Sequence, residues 1–162
     1  MKYYNNGKTG ELDFCKLMDS FNSSAKLTSN LDLQYKDIDC ILRDGRTVSV
    51  KDQSQADKFK CFLFEKLQVR TEDGANIKGN IFSCQADLYA ICSPTTWFIL
   101  DAPKLKTFLS ENTFKEIRTT CKTEAFNRKY KGIGCYDRTF SYVVSYKALE
   151  ESNAFLWKGT RI

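Results

Sequence analysis

The chain reads as an α/β (α+β) domain, a mixed β-sheet flanked by helices. Three observations predict this: apolar residues at helical spacing near the start, a hairpin with one apolar face soon after, and strand and helix signals alternating beyond it. At 162 residues, 42% hydrophobic and 14% aromatic, the chain suits one folded domain over 1–162. No repeat, low-complexity tract or Pro/Gly-rich linker divides it.

Taken in order, Thr9, Gly10 and Glu11 lead into Phe14, Leu17, Met18 and Phe21, whose spacings of three and four predict a short amphipathic helix. A Ser/Asn-rich stretch follows, with a strand expected at 25–28. Residues 37–51 form a hairpin. Residues 60–70, rich in Phe, Leu and Val, read as a strand, although 55–64 also allow a helix. Thr71-Glu72-Asp73-Gly74 is a turn, with a returning strand at 77–84. A helix is expected at 85–92, a strand at 96–100, and a helix opened by Pro103 through 109. The last third predicts a helix at 114–128, a strand at 140–145 and a short helix from Lys147. Gly132-Ile133-Gly134 lacks the spacing of a phosphate loop and reads as a turn.

Composition narrows the chemistry. Histidine is absent, which excludes histidine bases, Ser-His-Asp and Cys-His hydrolases and His-ligated zinc. Seven cysteines, none in a C-x-x-C pair, argue for reduced and mostly buried thiols. Any hydrolysis must therefore rely on carboxylates, lysine and a hard metal ion. No stretch approaches the ~20 apolar residues of a membrane helix, and the start lacks a secretory core, so the expected location is the cytoplasm with no membrane partner. The net charge of +5 permits a polyanionic partner without requiring one.

The hairpin carries the chemistry. A three-residue loop, Arg43-Asp44-Gly45, with Gly45 at positive φ, would set Asp39 opposite Ser49 and Asp37 opposite Lys51. Ile38, Cys40, Leu42, Val48 and Val50 would then share the apolar face. A two-residue turn would slip the register and bury the acids or expose the valines. Two acids and a lysine on one face suit magnesium and a scissile phosphate. The plain alternative is a solvated face with weak cross-strand pairs, and an Asp inside a strand is unfavourable enough to count against it. Asp37 itself reads as a strand-entry residue exposed to water, with a metal ligand as the alternative.

Here the residues resemble the PD-(D/E)XK, or restriction-endonuclease-like, nuclease superfamily. Its pattern is a helix with a glutamate, an Asp on one strand and an acid-x-Lys triplet on the next. Glu11, three residues before Phe14 on the inward stripe, resembles the helix acid, while Asp13 points elsewhere. Asp39 resembles the strand Asp, Ser49-Val50-Lys51 the triplet, and Gln53 a polar residue near the metal. The run from Cys84 to Ile91, then Trp97 to Leu100 and Pro103 to Leu105, resembles the family's next helix, strand and helix. The likeness spans roughly residues 9–110.

Ser49 departs from the usual acid. Some members with Ser-x-Lys regain the charge from a later glutamate, and Glu65 lies fourteen positions after Lys51 among Phe62, Leu63, Phe64 and Leu67. Glu65 is then either a metal ligand or half of an ion pair with Lys66 or Arg70. The resemblance implies a restriction-endonuclease-like mixed sheet, Mg2+ (replaceable by Mn2+) and hydrolysis of DNA. Asp39, Glu65 and Glu11 would be metal ligands, Lys51 the transition-state cation, and Gln53 and Ser49 the groups that position water. No organic cofactor is implied, and a homodimer is allowed because many members pair to cut both strands. A phage or other mobile element, acting in host cytoplasm, would suit so small a nuclease. The rival is a catalytically degenerate nucleic-acid- or protein-binding module on the same fold.

Asp87 reads as structural, and Tyr89, Trp97, Phe98 and Phe108 as core. Basic residues on the expected helix at 114–128 and just after it, with Lys122, Arg128, Lys129 and Lys131 foremost, would contact phosphates; a solvated helix face is the alternative.

Overall fold

The computed structural model describes residues 2–69, 76–122 and 136–162. It is a mixed α and β structure. A six-stranded sheet has the order β1-β2-β3-β6-β7-β10 and a four-stranded sheet the order β5-β4-β9-β8. The first comprises β1 (Ala25–Leu27), β2 (Cys40–Leu42), β3 (Thr47–Asp52), β6 (Leu88–Cys92), β7 (Thr96–Asp101) and β10 (Phe155–Thr160). Only β3 and β6 run parallel; the other neighbours are antiparallel. The second comprises β4 (Cys61–Val69), β5 (Asn76–Lys78), β8 (Lys115–Lys122) and β9 (Tyr136–Ser145), all antiparallel.

Helix α1 (Lys2–Ser20) lies on one face of the larger sheet, where Phe14 and Met18 meet Cys40, Leu42, Val48, Val50, Leu88, Ala90, Cys92 and Trp97. Each such large apolar side chain contributes roughly 1.5–3 kcal/mol by leaving water. The opposite face, with Tyr89, Ile91, Phe98 and Leu100, packs against Phe62, Phe64 and Val144 of the smaller sheet. Helices α5 (Ala102–Glu111) and α6 (Tyr146–Glu151) add Leu105, Leu109 and Leu149 to this cluster. The short helices α2 (Leu31–Tyr35), α3 (Ala56–Phe59) and α4 (Asn80–Ser83) fill the connections.

The strands at 25–28, 60–70 and 96–100, the helix opened by Pro103, the strand at 140–145 and the helix from Lys147 are present, with ends that differ by a few residues; the first helix is present but not short, beginning at Lys2 rather than near Thr9. The expected helix at 85–92 is instead strand β6. All five of its residues are buried, because Leu88, Ala90 and Cys92 serve one core and Tyr89 and Ile91 the other. A strand covered on both faces has no period-two pattern and mimics a buried helix. The family-like helix over Cys84–Ile91 is corrected with it.

The expected helix at 114–128 is also corrected: residues 115–122 are β8, whose β-branched Ile117 and Thr119 suit a pleated edge. The returning strand at 77–84 shrinks to β5, followed by α4. Strand β10 and helix α2 were not expected. The turn at 71–74, the turn at 132–134 and the rest of the basic tract lie outside the described residues.

Asp87 is structural as read, accepting from the Thr47 backbone N–H (2.8 Å) and hydroxyl (2.9 Å). Trp97, Phe98 and Tyr89 are core, with Phe108 packed against it. Cys15, Cys40, Cys61, Cys84 and Cys92 are free thiols. Among the described residues no helix is long and apolar enough to cross a membrane.

Candidate functional site

The β2–β3 turn has the expected three-residue form. Cys40 pairs with Val48 and Ile41 with Thr47; the Leu42 N–H donates to the Arg46 carbonyl (2.8 Å), and Gly45 takes φ +89°. That conformation is open to glycine at little cost.

The ladder stops at Cys40. The Asp39 N–H donates to the Val48 carbonyl (2.9 Å), so backbone pairing does not continue to Ser49 and Lys51. Asp37, at φ +58°, turns the chain in the left-handed region that Asp tolerates better than most residues. One consequence corrects the expected apolar face. Cys40, Leu42, Val48 and Val50 point toward α1, whereas Ile38 joins the core on the other side.

Carboxylates take over where the ladder ends. Asp39 accepts from the Val50 N–H (2.7 Å), filling a backbone donor on the open edge of β3. Asp37 accepts from the Ser49 hydroxyl (3.0 Å) and holds the Lys51 ammonium (2.5 Å), which is 3.9 Å from Asp39. Asp37 therefore meets Lys51 through its side chain rather than through strand register. It is one-fifth exposed and belongs to the site, not to the solvent. The segment behind it is fastened by Gln85 N–H to the Lys36 carbonyl (2.9 Å) and the Cys84 thiol to the Asp37 carbonyl (3.8 Å).

Glu11 approaches from α1. Burial and the Asp39 carboxylate push Glu11 above the ordinary glutamate value, against the pull of Lys51 and Lys8. Burial also raises Asp39, with Asp37 adding to it and Lys51, the Val50 N–H and Ser49 opposing. Lys51 is raised as well: the charges of Asp37 and Asp39 outweigh the downward push of burial. Three carboxylates around one ammonium leave a formal charge of −2 at the centre of the cluster. The helix is held in this orientation by Arg161, whose Nη2 bridges Asp13 (2.9 Å) and Asp52 (2.8 Å). Asp13 thus points elsewhere, as read.

The other expected site residues divide. Ser49 is fully buried, its hydroxyl given to Asp37. The Gln53 amide grips the backbone of Leu63, donating to its carbonyl (2.6 Å) and accepting from its N–H (2.8 Å), which pins β4 to the end of β3. Glu65 does not pair with Lys66, whose ammonium goes to Glu116 (2.6 Å); Arg70 lies outside the described residues. Instead Glu65 lines a cleft of ≈ 1170 Å³ that Lys51, Gln53 and Tyr89 also line.

Strand alternation places it there beside Cys61 and Leu63; a bulge follows before Leu67, and Gly79 packs so closely on it that a Cβ would lie 1.8 Å from the Glu65 carbonyl oxygen. Among the described residues no three acid or thiol groups form a metal cage, so Asp39, Glu65 and Glu11 are not a preformed triplet. Lys122 ends β8, in register with Tyr136, on a strand rather than a helix; Arg128, Lys129 and Lys131 lie outside the described residues.

The donor set nevertheless fits a hard divalent cation. Its oxygens are carboxylates, its excess charge is −2, and magnesium commonly takes one or two carboxylates while keeping waters and substrate phosphate oxygens. Comparison with family models, curated proteins and solved structures found no match for this chain.

Proposed function

We propose that the chain is a Mg2+-dependent endonuclease that hydrolyses DNA phosphodiester bonds. The observation that carries this reading is the excess of carboxylate over ammonium where α1, the approach to β2 and the end of β3 converge. Helix, Asp-bearing segment and Lys-bearing strand follow one another in the order of the PD-(D/E)XK pattern.

Glu11 and Asp39 would hold the ion. A magnesium held there would offset the charge of the scissile phosphate and make water more acidic. Lys51 opposes the negative charge that develops on the phosphate, and Asp37 keeps its ammonium protonated and in place. Ser49 acts through Asp37, and Gln53 keeps the β4 wall, with Glu65, beside the reacting end of β3.

Incubation with supercoiled DNA and Mg2+ or Mn2+ tests the reading. Cleavage by the wild type, lost in Asp39→Ala and Lys51→Ala with circular dichroism unchanged, is the expected result. Full activity in both variants contradicts it.

A second reading is a catalytically degenerate nucleic-acid- or protein-binding module. It is favoured by Ser49 standing where an acid is usual and by the 2.5 Å commitment of Lys51 to Asp37. It predicts intact DNA under every metal, with any binding undiminished in the two variants.

A further inference from the structure

The strand pairing that presents Asp39 continues away from it as the wall of a polar groove. Strands β1 and β2 keep one register throughout: the Arg43 N–H donates to the Ser24 carbonyl (2.9 Å), Lys26 lies opposite Ile41, and the Thr28 N–H donates to the Asp39 carbonyl (2.9 Å). With a period of two, Ser24 and Arg43, then Lys26, then Thr28 fall on a single face that ends at Asp39. They line a groove of ≈ 720 Å³ whose other side is the turn into α2, at Ser29 and Asn30.

The chemistry of this groove is one-sided. Lys26 and Arg43 bring two cations, and Asp44 is taken by Arg46 rather than by Arg43. Among the described residues neither cation meets a carboxylate, and no acid lines the groove. The hydroxyls of Ser24, Thr28 and Ser29 and the Asn30 amide add donors that no described acceptor takes. The larger cleft differs, since Asp52 and Glu65 stand there beside Lys51 and Lys115. Cations and open donors without a carboxylate suit oxygens that carry negative charge.

We infer that this groove binds the phosphodiester backbone of duplex DNA, with Lys26 and Arg43 on phosphates that flank the one reaching Asp39. A strand rises about 3.3 Å per residue, so Lys26 stands about 7 Å and Arg43 about 13 Å from the Thr28–Asp39 rung. At about 3.4 Å of axis per nucleotide, those are about two and four steps along one DNA strand. Such contacts hold any sequence, because phosphates carry none. The alignment on the cut phosphate rests on the nuclease reading; the attraction of the groove for phosphates does not.

The test is fluorescence anisotropy with a labelled duplex of about 20 base pairs, in EDTA so that nothing is cut, from about 50 to 200 mM salt. Each phosphate contact contributes about 0.9 to the slope of log affinity against log salt. Lys26→Gln and Arg43→Gln should each lower the slope by about that amount, and the double variant by about 1.8, whatever the duplex sequence. Lys104→Gln, at an exposed lysine of α5 outside the groove, should leave it unchanged. All three side chains are exposed, and equal melting temperatures check that folding is intact. An unchanged slope in the double variant, an equal fall in Lys104→Gln, or a wild type that binds no duplex overturns the groove assignment. Failure of the nuclease reading shows separately, as DNA left uncut in Mg2+ while the slopes still differ.

Discussion

Lys51 stands between two carboxylates with its side chain only 22% exposed, so Asp37 and Asp39 depend on it for neutralisation. Lys51→Met leaves them facing each other without a cation. Stability should fall by roughly 1–3 kcal/mol, the scale of hydrogen bonds to charged groups, seen as a lower urea midpoint at unchanged slope. An unchanged midpoint would mean that water already screens the pair.

Glu11 carries the opposite sign. Its pKa is raised in the fold, so the native state binds more protons than the unfolded chain above the ordinary value of 4.5. Stability is then full below that value and declines as pH rises through the folded value. Asp39 behaves alike from its ordinary 3.8. Glu11→Gln should therefore be more stable than the wild type at neutral pH and gain nothing well below 4.5. Parallel melts across that range decide it, and a variant less stable at neutral pH contradicts the repulsion. Of the carboxylate–ammonium cluster, Asp39 and Lys51 were legible from strand alternation, and Glu11 from the family resemblance. The meeting of Asp37 with Lys51 was legible too, but not its burial, because a left-handed turn that no strand pattern signals brings it there in place of ladder register.

At the scale of elements, the bulge in β4 is the feature most exposed to a single methyl group. Gly79→Ala would drive a Cβ against the Glu65 backbone, where 1.8 Å is available. It should destabilise by roughly 1–3 kcal/mol, as overpacking does, with faster hydrogen exchange at the β4–β5 pairing. Wild-type stability and exchange would show that the two backbones are not so close. The β2–β3 loop was readable because one face of the hairpin is apolar and only glycine suits its last position. Strand β6 was not, being apolar toward two cores at once, and β8 was hidden by charges that also suit a solvated helix. Strand β10 pairs with β7 across more than fifty residues of chain, a contact that local periodicity does not register.

Across the whole molecule, Arg161 joins the C-terminal end to three elements. Besides Asp13 and Asp52 it donates to the Ser93 carbonyl (3.2 Å), and its guanidinium lies 5.7 Å from the Trp97 ring centroid. At 12% side-chain exposure it is nearly enclosed. Arg161→Ala strands two carboxylates, one on α1 and one on β3, and should cost roughly 3–5 kcal/mol by denaturant unfolding. A smaller loss than about 1 kcal/mol would mean that water replaces the guanidinium freely. Because the same bridge orients α1, the variant should also bind metal more weakly.

Metal binding itself is the central claim. Titration calorimetry with Mn2+ at neutral pH, on the wild type and on Asp39→Asn, tests it most directly. A single bound ion is expected in the wild type, with a higher melting temperature in its presence, and loss of both in the variant. No heat of binding in the wild type, or equal binding in Asp39→Asn, would contradict it.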